Sequence, residues 1–193
     1  DMSGGLVVSN TLADNMAGIV GLFMEEGTTA EGLRITGNTI DGNFVGSVPA
    51  FGNLLGGFVD IPDDVPAIGG LAGVGLFGHN GANLDNVSID NNTVSDHMFG
   101  VTLFGYGEDF QVSMQNTVVS NNVIDGSAIG ASLIGFSNVV MDVTFVDNDI
   151  TGTPGPDYGG VRGLLQDEFE DYWGAPLGAA IPDLPIGIGV MLL

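Results

Sequence analysis

An all-β solenoid of stacked coils is the fold class this sequence predicts, and three observations predict it. An Asn-centred motif returns as Ser9-Asn10-Thr11-Leu12, Gly37-Asn38-Thr39-Ile40, Asn91-Asn92-Thr93-Val94, Asn121-Asn122-Val123-Ile124 and Asp147-Asn148-Asp149-Ile150, in steps of 28, 54, 30 and 26 residues. Gly18, Gly46, Gly73, Gly100, Gly130 and Gly160 step by 28, 27, 27, 30 and 30, so the step of 54 reads as two coils of 27 with one Asn missing. The segments between these anchors alternate apolar and small or polar residues with a period of two. Self-similarity at this spacing defines a repeat architecture before any single residue is interpreted.

Each element follows from its local pattern. Gly73-Val74-Gly75-Leu76-Phe77-Gly78, Gly100-Val101-Thr102-Leu103-Phe104-Gly105 and Gly130-Ala131-Ser132-Leu133-Ile134-Gly135 place apolar side chains at their second and fourth positions, as a strand with one buried face requires. A second strand per unit alternates in the same way in Leu33-Arg34-Ile35, Val87-Ser88-Ile89 and Val143-Thr144-Phe145. The Asn motif turns the chain and starts a third short run at Leu12, Ile40, Val94, Ile124 and Ile150. Three strands and three turns within one unit leave no room for the helix of a βαβ repeat. The 33 glycines and 15 asparagines oppose helix as well. The unit that fits is one coil of a parallel β-helix of about six coils, each paired to the next at ~4.8 Å.

The recurring Asn10, Asn38, Asn92, Asn122 and Asn148 then share one coil position, where Asn tolerates a left-handed turn and stacked amides form a ladder. The expected second coil departs from the pattern: Pro49 interrupts it, and Asp63-Asp64-Val65-Pro66 stands where the Asn is due. Proline cannot donate to a ladder, so this stretch is expected to bulge or loop away from the rod.

The division of the chain follows, with the β-helix over residues 1–163 and a terminal segment over 164–193. Within the latter, Leu165, Phe169 and Trp173 fall on one stripe of a short acidic helix that would cap the last coil. The uncharged, β-prone tail presents Ile186, Ile188, Val190 and Leu192 in alternation. Such a strand either pairs with an exposed edge of another copy, giving end-to-end assembly, or folds back along its own rod.

Composition bounds the partners. There are 24 acidic residues against 2 basic ones, Arg34 and Arg162, for a formal charge of -22. Phosphate backbones and anionic lipid are bound through clustered Lys and Arg, so nucleic acid and membrane surfaces are excluded as expected partners. The charge favours cations instead, whether divalent ions or a high-salt medium. Structural calcium is the cofactor the acidic turns admit, with Asp90, Asp147 and Asp149 as candidate ligands beside backbone carbonyls. There is no cysteine, hence no disulfide and no thiolate chemistry. The chain begins at Asp1, as expected where a leader or precursor segment has been removed, which suits an extracellular or cell-surface setting. His79 and His97 lack zinc spacing, and their turn placement reads as surface.

The coil pattern over about residues 6–165 resembles the right-handed parallel β-helix repeat family, which includes pectate lyases, polygalacturonases, surface adhesins and phage tailspikes. The resemblance implies right-handedness. It also invites comparison with the family's enzymes, whose lyases use an Arg or Lys base beside calcium-binding aspartates and whose hydrolases use several aspartates, a Gly-His-Gly and an Arg-x-Lys. Here Gly78-His79-Asn80-Gly81, Asp63-Asp64 and Arg34-Ile35-Thr36 each depart from those motifs, and lysine is absent. The expectation is therefore a non-catalytic structural or adhesive β-helix that assembles with itself. The alternative is a carbohydrate-active or glycan-binding module acting on surface polysaccharide, opposed by a single Trp and three Tyr. An ice-binding face would need regular Thr ladders, and the outward slots mix Gly, Thr, Ser and Arg.

Overall fold

The computed structural model describes residues 2–15, 17–42, 45–47, 66–68, 70–127, 129–151 and 188–192. Among these every regular element is a strand. The chain winds as a parallel solenoid of about four complete turns above a partial first one. The first turn holds β1 (Met2–Ser3), β2 (Leu6–Val8) and β3 (Thr11–Leu12). The second holds β4 (Ala17–Phe23), β5 (Thr29–Glu31), β6 (Arg34–Thr36) and β7 (Thr39–Asp41). A short excursion of β8 (Val45–Ser47) and β9 (Pro66–Ile68) precedes the third turn of β10 (Gly70–His79), β11 (Asn83–Asp85), β12 (Ser88–Asp90) and β13 (Thr93–Ser95). The fourth comprises β14 (His97–Ser120) and β15 (Val123–Asp125), the fifth β16 (Ile129–Val146) and β17 (Asp149–Thr151), and β18 (Ile188–Leu192) ends the chain.

Apart from β8 and β9, the strands pair in parallel with their equivalents in neighbouring turns. The wide face runs β4-β10-β14-β16-β18, and a separate sheet runs β3-β7-β13-β15-β17. Inward columns of like residues make the core: Val7, Ile35, Ile89, Val119 and Phe145 in one, and Leu12, Ile40, Val94, Ile124 and Ile150 in another. Stacking like on like lets each aliphatic chain bury against its own copies, which is why the period-two alternation reads so clearly. Arg34, between buried Leu33 and Ile35, points to solvent. On the wide face Gly73 and Gly100 sit where a Cβ would strike Val94 and Ile124, so glycine there sets the close approach of two sheets.

The coil count corrects the sequence expectation. Asn38 bonds directly to Asn92, and β5, β6 and β7 pair directly with β11, β12 and β13, so the step of 54 residues is one turn plus an insertion. Gly46 belongs to no coil: it pairs with Ala67 in the antiparallel β8–β9 ribbon. The physical reason lies in the insertion's own residues, since Pro49, Pro62 and Pro66 lack the N–H a coil must donate and Val65 cannot extend the amide ladder. An insertion between two paired coils costs only the slowly growing entropy of a longer closure.

The tail resolves its own alternative over the described stretch: β18 lies parallel to β16 of the same chain, with Ile188 opposite Ile129, Val190 opposite Ala131 and Leu192 opposite Leu133. It thereby covers an edge of the wide sheet that would otherwise be unpaired. Ile186 and the expected acidic cap at 164–173 lie outside the described residues.

Candidate functional site

The corner preceding the β3-β7-β13-β15-β17 sheet is built by two neighbouring columns with separate tasks. Ser9, Gly37, Asn91, Asn121 and Asp147 all have φ between 52 and 65° and so take the left-handed turn. The ladder asparagines follow them and are not among the residues with positive φ. The expectation gave both tasks to the central Asn, whereas the chain divides them between two positions. Freed from turning the chain, each ladder Asn points inward and bonds axially.

The ladder has a direction. The backbone N–H and Nδ2 of Asn10 both donate to Asn38 Oδ1 (3.0 and 2.9 Å), those of Asn38 to Asn92 (3.0 and 2.9 Å), those of Asn92 to Asn122 (2.9 and 2.9 Å) and those of Asn122 to Asn148 (3.1 and 2.9 Å). The other Nδ2 hydrogen reaches a carbonyl one turn back, as from Asn92 to Ile35 (2.9 Å) and from Asn148 to Val119 (2.8 Å). Asn38, Asn92 and Asn122 are buried and fully engaged, so in mid-stack the ladder is structural. Among the described residues the ladder runs out at an acceptor, Asn10 Oδ1, and at donors, the N–H and the second Nδ2 hydrogen of Asn148.

A second feature was missed by sequence reasoning. Phe99, Phe104 and Phe136 pack with Ile129 and Ile134 in an apolar cluster apart from the solenoid core. Phe104 sits 5.9 Å from Phe77 and 5.7 Å from Phe136, and His79 stacks on Tyr106 at 5.6 Å. Val101 and Leu103 belong to the inner core, so alternation places Phe104 and Tyr106 on the outer side of the wide sheet. Buried Ser132 donates to Thr102 Oγ1 (2.7 Å) on the same side. The signal was present at the fifth position of the Gly-led segments, where Phe77, Phe104 and Ile134 are all apolar. A strand apolar at positions two, four and five is covered on both faces.

The acidic candidates do not converge. Asp90 accepts from Ser120 Oγ (2.8 Å), Asn121 Nδ2 (2.9 Å) and Asn91 Nδ2. The Asn121 bond leads in holding its pKa below the ordinary carboxylate value, with Ser120 and Asn91 adding to it against the opposing effect of burial. Asp147 turns the corner and Asp149 lies exposed on β17, two turns along the stack from Asp90. Among the described residues no group of three His, Asp or Glu side chains is placed to hold a metal ion.

His97 corrects the surface assignment. Its ring is 0% exposed, and neither ring nitrogen has a hydrogen-bond partner among the described residues. It presses on Gly42, where a Cβ would lie 2.8 Å from Cε1 and Nδ1. Burial lowers its pKa to about 4, against the weaker pull of the Ser95 backbone and the Asp41 carboxylate toward the charged form. Ser127 Oγ, one turn further along the same corner, is likewise buried without a partner among the described residues. His79 is half-buried, its Nδ1 3.3 Å from the Met24 carbonyl. No helix among the described residues is long and apolar enough to cross a membrane. Compared with family models, with curated proteins and with solved structures, the chain finds no match in any of the three.

Proposed function

We propose that this protein is a non-catalytic structural or adhesive β-helix of the cell exterior, and that copies associate through their ends into a filament. The observation that carries this reading is the state of the stack's ends. Among the described residues the inward columns run from Met2, Val7 and Leu12 to Met141, Phe145 and Ile150, none of these six fully buried. Their mid-stack equivalents Met114, Val119 and Ile124 are at most 1% exposed. A rod with apolar, strand-edged ends gains by burying them against another rod.

Catalysis has little support: the chain has no lysine, and among the described residues Arg34 and the dispersed carboxylates offer no positioned acid–base pair. The acidic surface, with its charge of -22, suits an exterior rich in cations, and calcium would act between carboxylates of neighbouring rods. The coil pattern resembles that of the pectate-lyase-like superfamily, and membership in it would imply right-handed coiling. Negative-stain microscopy and light scattering of the full chain, in high salt with and without calcium, test the proposal. Rods many solenoids long support it, and particles of single-rod size in every condition refute it.

One observation favours a second reading, a glycan-binding module. The row Phe77, Phe104 and Phe136, flanked by His79 and Tyr106, gathers aromatics on one sheet face. Those rings are half-buried, which is why it ranks second. Titration with acidic and neutral polysaccharides, wild type against Phe104→Ala, decides it. Binding that the substitution abolishes in a folded protein would favour the glycan module.

A further inference from the structure

We infer that the corner where β13 and β15 lead into β14 and β16 is a binding site for one structural water, which bridges the His97 ring and the Ser127 hydroxyl between adjacent turns. The starting observation is a pair of orphaned groups. His97 and Ser127 are 0% and 1% exposed, and neither ring nitrogen nor Ser127 Oγ has a hydrogen-bond partner among the described residues. The Ser95 backbone draws the ring toward its charged form without meeting hydrogen-bond geometry. Buried polar atoms nearly always find a partner, and where the chain supplies none an ordered water does.

The stack sets the two groups at equivalent points of successive turns. Ser95 pairs with Asp125, so His97 and Ser127 each stand two residues past a matched pair. On the facing strands Val74 pairs with Val101, which sets Gly73 level with Gly100. A Cβ on Gly73 would lie 3.4 Å from His97 Nδ1, and one on Gly100 would lie 3.1 Å from Ser127 Oγ. Nδ1 and Oγ are therefore about one strand spacing apart, ~4.8 Å. That span is too long for a direct bond. It fits a single water, whose two hydrogen bonds of ~2.8 Å close it at an angle of about 120°.

Chemistry and space both suit water. A neutral imidazole has one donor and one acceptor nitrogen and a hydroxyl is both, so a water satisfies Ser127 and whichever nitrogen faces it. The Gly100 carbonyl oxygen, 2.7 Å from the same Gly73 Cβ position, borders the site, and its second lone pair offers a third contact. Space comes from the column itself. Backbone pairing keeps the turns at one spacing, yet the position that carries an imidazole in one turn carries only a hydroxymethyl in the next. The difference exceeds the ~30 Å³ that a water takes in the liquid. A metal ion would need further ligands, and among the described residues no group of three His, Asp or Glu side chains converges there. One water is far short of a hydration shell, so the ring stays neutral and its lowered pKa stands. The water does for this corner what the amide oxygens do for the Asn ladder, tying one turn to the next.

Ser127→Ala tests the site by the sign of its effect. A hydroxyl tied to a water loses a bond and leaves His97 half-served, so the folding equilibrium constant should fall about threefold to tenfold by urea unfolding at neutral pH, as for one typical hydrogen bond. A hydroxyl in a dry corner is an unsatisfied group that the substitution removes, and stability would rise instead. The same substitution made on a His97→Phe background should cost less than half as much, because the water has already lost its ring partner, although the two side chains make no direct bond. A high-resolution crystal structure of the full chain should show an ordered water within hydrogen-bond reach of Ser127 Oγ and of a His97 ring nitrogen. No density at that point, a rise in stability on Ser127→Ala, or strictly additive costs of the two substitutions would each overturn the inference.

Discussion

Acidification should destabilise this fold through one side chain, His97, by an amount that can be worked out beforehand. The ring lies inside the solenoid against Gly42 and Gly73, and protonation would place an unsolvated charge there. Its pKa falls from 6.5 to about 4, burial being the main cause. The unfolded chain titrates this histidine near 6.5 and therefore binds more protons than the folded one between those values. The stability conferred by the neutral ring is fully present above about pH 6.5 and is lost as the pH falls from there through about 4. At ~1.36 kcal/mol per pH unit the whole loss is about 3 kcal/mol, a large share of the ~5–15 kcal/mol that holds a typical domain. Carboxylates titrate at the lower end of the same range, so the informative quantity is the difference between wild type and His97→Gln, which keeps a polar group of similar size and removes the titration. Urea unfolding by circular dichroism at half-unit steps from pH 7.5 to 4 should show wild type losing about 3 kcal/mol relative to the variant. An imidazole resonance assigned to His97 that titrates near 6.5 in the folded protein, or a stability difference that does not move with pH, would refute the reasoning.

Other expected outcomes test the stack itself. Asn92→Leu strands the N–H and Nδ2 donors of Asn38 and the Ile35 carbonyl, and should cost about 2–4 kcal/mol by urea unfolding, whereas Asn10→Leu at the exposed end should cost below about 1 kcal/mol. Gly100→Ala brings a Cβ to 2.4 Å from the Gly130 carbonyl oxygen and from Ile124 Cγ2, and should cost about 3 kcal/mol or prevent folding. Gly27→Ala, with open space but a φ of +73°, should lose about 1 kcal/mol through backbone strain alone. Ser47 and Pro66 are paired across the antiparallel ribbon, so replacing residues 48–65 by Asn-Gly closes a two-residue hairpin and should leave the thermal midpoint within about 5 °C of wild type. A collapse of stability in that variant would mean that the insertion belongs to the rod.

The parallel stack was legible because its signals are local. Leu33-Arg34-Ile35 and Val87-Ser88-Ile89 announce their buried faces by alternation alone, and the stacking residues recur at one coil position because each packs on its own equivalent. The insertion was not legible in the same way. A step of 54 residues is compatible with a degenerate coil or with a loop, and only the pairing of Asn38 with Asn92 distinguishes them. The candidate calcium ligands illustrate the same limit, since Asp90 and Asp147 lie in similar motifs two turns apart, where each meets its own neighbours.

By itself the sequence determined the fold class, the column of asparagines and the acidic, lysine-free surface, because these depend on residue type and short-range spacing. Tertiary structure alone decided that His97 is buried, since the left-handed turn at Asp96 directs the next side chain inward. It decided too that Ile188–Leu192 pairs with β16 and that Phe77, Phe104 and Phe136 gather on one face. The physical reason is common to all three. Turn count and strand register bring together residues far apart in the chain, and nothing in the local pattern of either partner encodes where the other will lie.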